Sequence, residues 1–300
     1  MILPTGKIAF IHMLSQCAKG DLEATIAEIR RLGCTVVAPK VANGYKAWEG
    51  LAPFVTACHA EGWLVVGWHY LYCGIYITQS GQWVTTAISP EMEAKVSADQ
   101  VEALELDGFI IDAEREFKVG NQATRARRYI QALKPRVTVP IGLSSYRFPS
   151  LHREFPWMEF LNGCDYHVPQ IYWNPPNPAK GFGPEAELER SCKELRAIVD
   201  LPIVPIGRAY IGDGHPDPKP NEIAAFLGKA KEMNLPGAGF WALDFLYLHS
   251  GGKARSDAIA AFGWDGTKPP EPPTERWEYA ITAWARRQPD PYTGPEPDRL

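Results

Sequence analysis

Eight short apolar runs, each followed by a helical pattern, constrain this chain more than any other feature. The runs are 7–12 (KIAFIH), 34–41 (CTVVAPKV), 63–72 (WLVVGWHYLY), 107–114 (DGFIIDAE), 139–146 (VPIGLSSY), 166–173 (YHVPQIYW), 203–210 (IVPIGRAY) and 237–245 (GAGFWALDF). Helical patterns fall near 20–33, 50–62, 90–106, 122–135, 155–163, 185–199, 220–234 and 255–262. Strands that alternate with helices build βαβ units and a parallel sheet. Eight units in about 260 residues predict a closed (β/α)₈ TIM barrel, an α/β fold. The first run is followed by HMLSQCAKG. That segment lacks the G-x-G-x-x-G turn of a dinucleotide-binding sheet.

The predicted barrel fills 1–263 of the 300 residues, and a second segment, 264–300, has another composition. It opens on the proline-rich WDGTKPPEPPTE, which reads as a stiff linker, and ends on QPDPYTGPEPDRL. Between them TERWEYAITAWARR places Trp277, Ile281 and Trp284 on one helical face. That face either packs back on the barrel or docks a protein partner.

A formal charge of −4 gives no basic field for nucleic acid or an anionic membrane. No run approaches the ~20 apolar residues of a membrane span, and MILPTGKIAFIHMLSQ lacks the basic and cleavage regions of a secretion signal. The expectation is synthesis in the cytoplasm without a signal peptide. The six cysteines (Cys17, Cys34, Cys58, Cys73, Cys164 and Cys192) are widely spaced and read as buried free thiols. The histidines show no metal spacing and GLSSY is no serine elbow, so neither metal, cofactor nor serine chemistry is expected. Ten tryptophans and twelve tyrosines fit either an aromatic core or a sugar-stacking cleft.

The chemistry-bearing residues gather on the fourth run. Side chains of a strand alternate faces. In DGFIIDAE one row is Phe109, Ile111 and Ala113, which suits the helix layer. The other row is Gly108, Ile110, Asp112 and Glu114, and it points into the barrel. Its two acids then stand at the C-terminal mouth, where barrel enzymes keep their active sites. Neighbouring inward carboxylates raise the pKa of one of them, as a general acid requires. The competing reading is a pair of rim acids neutralised by Arg115 or Arg208.

Together these motifs resemble glycoside hydrolase family 18, the chitinase family. Its fourth strand carries D-G-x-D-x-D-x-E, matched by Asp107, Gly108, Asp112 and Glu114, with Ile110 in place of the inner acid. The run VPQIYWNPPNP is similar to the Gln-x-Tyr-x-Asn-Pro-Pro of plant class III members, which covers Gln170, Tyr172 and Asn174. GAGFWALDF is similar to the strand that brings the sugar-binding tryptophan, here Trp241. The family's third-strand Ser-x-Gly-Gly is absent; VVGWHYLY there looks more like family 25 lysozymes, whose first-strand Asp is in turn replaced by Ile11-His12.

The resemblance implies cleavage of a β-1,4-linked polymer containing N-acetylglucosamine, chitin or peptidoglycan, by a soluble polysaccharide-degrading enzyme. It implies Glu114 as the general acid, Asp112 orienting the substrate acetamide, Tyr172 bonding its carbonyl oxygen and Trp241 as the sugar floor. His69 and Tyr70 at the third strand's end, Tyr210 at the seventh and Asp244 at the eighth are further candidate substrate contacts. Two alternatives stand beside this. One is a lysozyme-like muramidase using water or a carboxylate directly. The other, motivated by Ile110 and the tail, is an inactive carbohydrate-binding or phage-particle assembly module. The site of action would be a bacterial cell wall or a phage particle.

Overall fold

The computed structural model describes residues 2–78, 80–212 and 216–264. Trp277, Ile281 and Trp284, and with them the expected C-terminal helix, lie outside the described residues.

All eight expected strands form: β1 (Gly6–Ile11), β2 (Cys34–Asn43), β3 (Leu64–Tyr70), β4 (Gly108–Asp112), β5 (Ile141–Tyr146), β6 (Tyr166–Ile171), β7 (Ile206–Arg208) and β8 (Gly237–Trp241). They pair in parallel in chain order, and β8 and β2 both pair with β1, so the sheet closes. The protein is a (β/α)₈ barrel. Nine α-helices are described: α1 (Leu22–Leu32), α2 (Ala52–Ala60), α3 (Pro90–Ala103), α4 (Gln122–Leu133), α5 (Trp157–Leu161), α6 (Pro184–Arg196), α7 (Pro220–Glu232), α8 (Leu243–Leu248) and α9 (Gly252–Ala261).

Local sequence explains the elements. In α1 the Ala24 N–H donates to the Asp21 side chain at 2.9 Å, closing the first turn. Leu22, Ile26, Ile29 and Leu32 then bury one stripe, and Gly33 at φ 66° ends the helix. The barrel strands put alternate residues into two cores. Ile8, Phe10, Val36, Ala38, Val66, Trp68, Ile110, Tyr166, Val168, Val204 and Ile206 fill the inside. The opposite rows, including Phe109, Ile111 and Ala113, pack under the helices. Large and small residues interlock within the barrel: a methyl on Gly142 would lie 2.5 Å from the Tyr166 ring.

Most strands are trimmed at their ends, and two runs are cut back the most. β7 spans only Ile206–Arg208, because Pro202 and Pro205 have no N–H to give a ladder. The eighth run, expected to reach 245, leaves the sheet after Trp241. Ala242 leads into α8, so Asp244 belongs to a helix rather than to a strand. The Trp241–Ala242 peptide is cis. An antiparallel hairpin, Ile75–Ile77 with Trp83–Thr85, rises after β3.

Candidate active site

The barrel register carries Asp112 to the mouth on top of Ile110, with Ser144 beside it on β5. Glu114 follows in an extended turn before a short helical segment, Arg115–Lys118. Across the mouth, Gln170 near the end of β6 faces both acids. Its amide nitrogen donates to Asp112 Oδ1 at 3.1 Å and to Glu114 Oε1 at 2.7 Å, and stands 3.3 Å from Ser144 Oγ. One neutral donor thus holds two carboxylates together, an arrangement in which neither acid needs a fixed cation on that side.

Burial pushes the Asp112 carboxyl well above the usual carboxylate range, and the charge of Glu114 pushes it further. The Lys40 ammonium and the Ser144 hydroxyl pull it back. Lys40 is the inward residue at the mouth end of β2, only 3% exposed. Its ammonium lies 4.9 Å from the Trp68 ring centre, 5.7 Å from Trp48 and 5.8 Å from Tyr70, so ring faces replace part of its lost water.

A third acid stands next to the expected pair. Glu116 is 1% exposed and accepts the Tyr70 hydroxyl on Oε2 at 2.8 Å. Its Oε1 lies 3.5 Å from Arg115 Nε. Arg208 instead donates to the carbonyls of Trp173, Tyr210 and Pro216. Neither Glu116 nor Lys40 was singled out in the sequence. Lys40 carried a signal, since it continues the row of Val36 and Ala38 on β2, whereas Glu116 lies in the helical segment beyond the end of β4.

The remaining expected contacts divide. Tyr172 packs against the inside cluster at the mouth, with its ring edge-on to Tyr210 at 5.3 Å. Trp241 lies edge-on to Trp68 at 5.0 Å and 5.7 Å from the ring of His12. Tyr70 packs against the same inside cluster as Tyr172 and Trp241.

Three candidates are placed elsewhere. His69 points from β3 into the helix layer and is fully buried, its Nδ1 at 2.8 Å from Ser97 Oγ and its Nε2 at 2.6 Å from the Gly44 carbonyl. Strand alternation puts its neighbours Trp68 and Tyr70 inside and His69 outside. Burial pushes its pKa down to about 3, so it is a neutral structural link and not a substrate contact. Asp244 is buried under the loop after β1 and accepts the N–H groups of His12 and Met13 at 3.0 and 3.2 Å. Asn174 gives its backbone N–H and its Nδ2 to Glu187 Oε1 of α6, at 2.7 and 3.0 Å, which turns its amide away from the acids. Among the described residues no group of three or more His, Cys, Asp or Glu is placed to hold a metal ion.

No family model and no curated protein matches the sequence. Solved structures do match the fold. A family 18 chitinase mutant from Cycas revoluta in complex with (GlcNAc)4 superposes with TM-score 0.58 at 11% identity, covering 84% of this chain and 99% of that one. The catalytic domain of a hyperthermophilic chitinase from Pyrococcus furiosus gives 0.58 at 15%, over 80% and 85%. The spore cortex-lytic enzyme of Bacillus cereus gives 0.59 at 10%, over 85% and 73%. The chain therefore has the barrel fold of family 18 chitinases and their structural neighbours. At these identities the likeness is one of fold, and the activity has to be argued from the site.

Proposed function

We propose that the protein is a glycoside hydrolase acting on a β-1,4-linked polymer that contains N-acetylglucosamine. The observation that carries the reading is the Gln170 amide shared by Asp112 and Glu114 at the C-terminal mouth. Two acids drawn together at the barrel mouth suit acid catalysis on a sugar. The fold neighbours support the substrate class, since they include chitinases and a spore cortex-lytic enzyme.

In this mechanism Glu114 gives its proton to the glycosidic oxygen as the C–O bond breaks. The acetamide oxygen of the same sugar attacks the anomeric carbon and forms a cyclic oxazolinium. Asp112, its charged form favoured by Lys40 and Ser144, accepts the acetamide N–H and stabilises the developing positive charge. The Tyr172 hydroxyl donates to the acetamide oxygen, and Trp241 supports the distorted ring. Water then opens the ring and Glu114 takes its proton back. Barrel strand β1 ends at Ile11 and is followed by His12, which offers no carboxylate nucleophile on the opposite side, and this favours the substrate-assisted route.

The test is turnover of chitin oligomers and purified peptidoglycan, with released ends identified by mass spectrometry. Glu114→Gln should lower turnover by about 10²–10⁴-fold while binding persists, the usual share of acid–base catalysis. Full activity in that variant sinks the assignment. Binding without any cleavage by the wild type favours a lectin-like barrel instead, a reading to which the apolar Ile110 beneath Asp112 lends support.

A further inference from the structure

Strand β6 ends at Ile171, so Tyr172 lies just beyond the ladder that fixes the strand. Other bonds hold the chain there. Arg147, at the exit of β5, donates from Nη1 to the Tyr172 carbonyl at 2.6 Å. Its Nε lies 2.9 Å from Oε2 of Glu187, a buried residue in the first turn of α6. The other oxygen of Glu187 takes the Asn174 N–H and Nδ2 at 2.7 and 3.0 Å. It also stands 3.5 Å from the Gly183 nitrogen. Between these two grips Trp173 is 1% exposed. Its indole N–H donates to Glu222 of α7 at 2.9 Å, and its carbonyl accepts Arg208 of β7 at 3.2 Å.

We propose that Arg147 and Glu187 are positioning residues for Tyr172: their ion pair grips the main chain on both sides of it and so fixes where its hydroxyl stands at the mouth. This rests on the reading of Tyr172 as the donor to the substrate acetamide. A buried ion pair is a poor source of stability compared with apolar packing. What it supplies here is direction. Arg147 sets the plane of the peptide that follows Tyr172, and Glu187 sets the one before Asn174. A donor held in place before substrate arrives costs no reorganisation when charge develops. The hydroxyl then meets the acetamide oxygen through bonds made on β5 and α6, away from the acids on β4 and its exit.

The test labels the full chain with 3-fluorotyrosine and assigns the Tyr172 signal by its absence in Tyr172→Phe. In Glu187→Gln, which keeps size and an acceptor for Asn174 but loses the charge, the ¹⁹F signal of Tyr172 should shift or broaden. On chitin oligomers kcat should fall about 10-fold, the order of loss expected for a slightly misplaced group, with KM changed by less than about twofold. Arg147→Lys should keep more activity than Arg147→Met, and Arg147→Met gives the same readouts if Glu187→Gln does not fold. The double variant Tyr172→Phe/Glu187→Gln should turn over as Tyr172→Phe does, because the pair acts through that hydroxyl. A double variant slowed by the full further factor of Glu187→Gln overturns the proposal, as does an unmoved Tyr172 signal in the folded variants. A wild type that cleaves neither chitin nor peptidoglycan overturns the hydrolase reading, and the ¹⁹F signal then decides the positioning by itself.

Discussion

Asp244 accepts the backbone N–H of His12 at 3.0 Å, and this single bond ties the exit of the last barrel strand to the exit of the first. The same carboxylate takes the Met13 N–H on its other oxygen. Two part-buried main-chain donors at the closing seam are thereby satisfied within the protein.

Asp244→Ala should therefore cost stability. Two part-buried N–H groups lose their acceptor, which corresponds to roughly 1–3 kcal/mol. Urea unfolding measures the loss directly. If the residue contacted substrate instead, the oligosaccharide Kd would change and the unfolding midpoint would not.

The eight-fold alternation made the barrel legible, because the period of a strand and of a helix are written locally. The same alternation divided β4 into an inner row ending in Asp112 and an outer row under the helices, while Glu114, expected on the same strand, stands in the turn beyond it. Alternation also contained the answer for His69, which stands one residue from the inward Trp68 and Tyr70, but a polar residue at a strand's end drew the eye to the mouth. Asp244 and Asn174 were beyond local reading. Their partners lie 232 and 13 residues away in sequence, on the β1 exit and on α6. Gln170 lay within a motif, but its bridging of two acids is 58 and 56 residues long-range and exists only once the barrel is closed.

Gln170→Met tests that bridge. The substitution keeps length and removes the donor, so the two acids meet without a hydrogen bond between them. Turnover should fall by about 10–10²-fold, in line with roughly 1.5–3 kcal/mol for a hydrogen bond to a charged group. Circular dichroism should stay as in the wild type, since the change lies at the mouth and outside both cores. A variant with wild-type kcat would remove Gln170 from the catalytic apparatus.

His69 makes a prediction about acid. Its folded pKa, about 3, lies below the ordinary imidazole value of 6.5, so the unfolded chain binds a proton that the folded chain refuses. Its contribution is complete above the unfolded value and is lost as pH falls toward 3. His69→Gln keeps hydrogen-bonding capacity and cannot titrate. Between pH 7 and pH 4.5 the wild type should lose about 2–3 kcal/mol more than this variant, read from urea midpoints. Parallel pH dependences would refute the assignment.

Glu116 runs the other way. Its folded pKa, about 7, lies above the usual 4.5, so the folded chain holds a proton that the unfolded chain has released. Its stabilising effect is complete below about 4.5 and disappears as pH rises through 7. Relative to Glu116→Gln, the wild type should lose on the order of 2–3 kcal/mol between pH 4.5 and 8. Equal slopes for the two proteins over that range would show that the carboxyl is already ionised at acid pH.

All six cysteines are buried as free thiols, spread from Cys17 beside the β1 exit to Cys192 on α6. A thiol-reactive dye therefore finds nothing to label while the barrel is closed and six targets once it opens. The protein carries its own alkylation clock: the labelling rate reports opening events, and the order in which peptides become modified maps where the barrel first comes apart. A single cysteine introduced on the surface would be the sole labelled position of the folded chain, ready for a fluorophore or a tether without any native thiol being replaced.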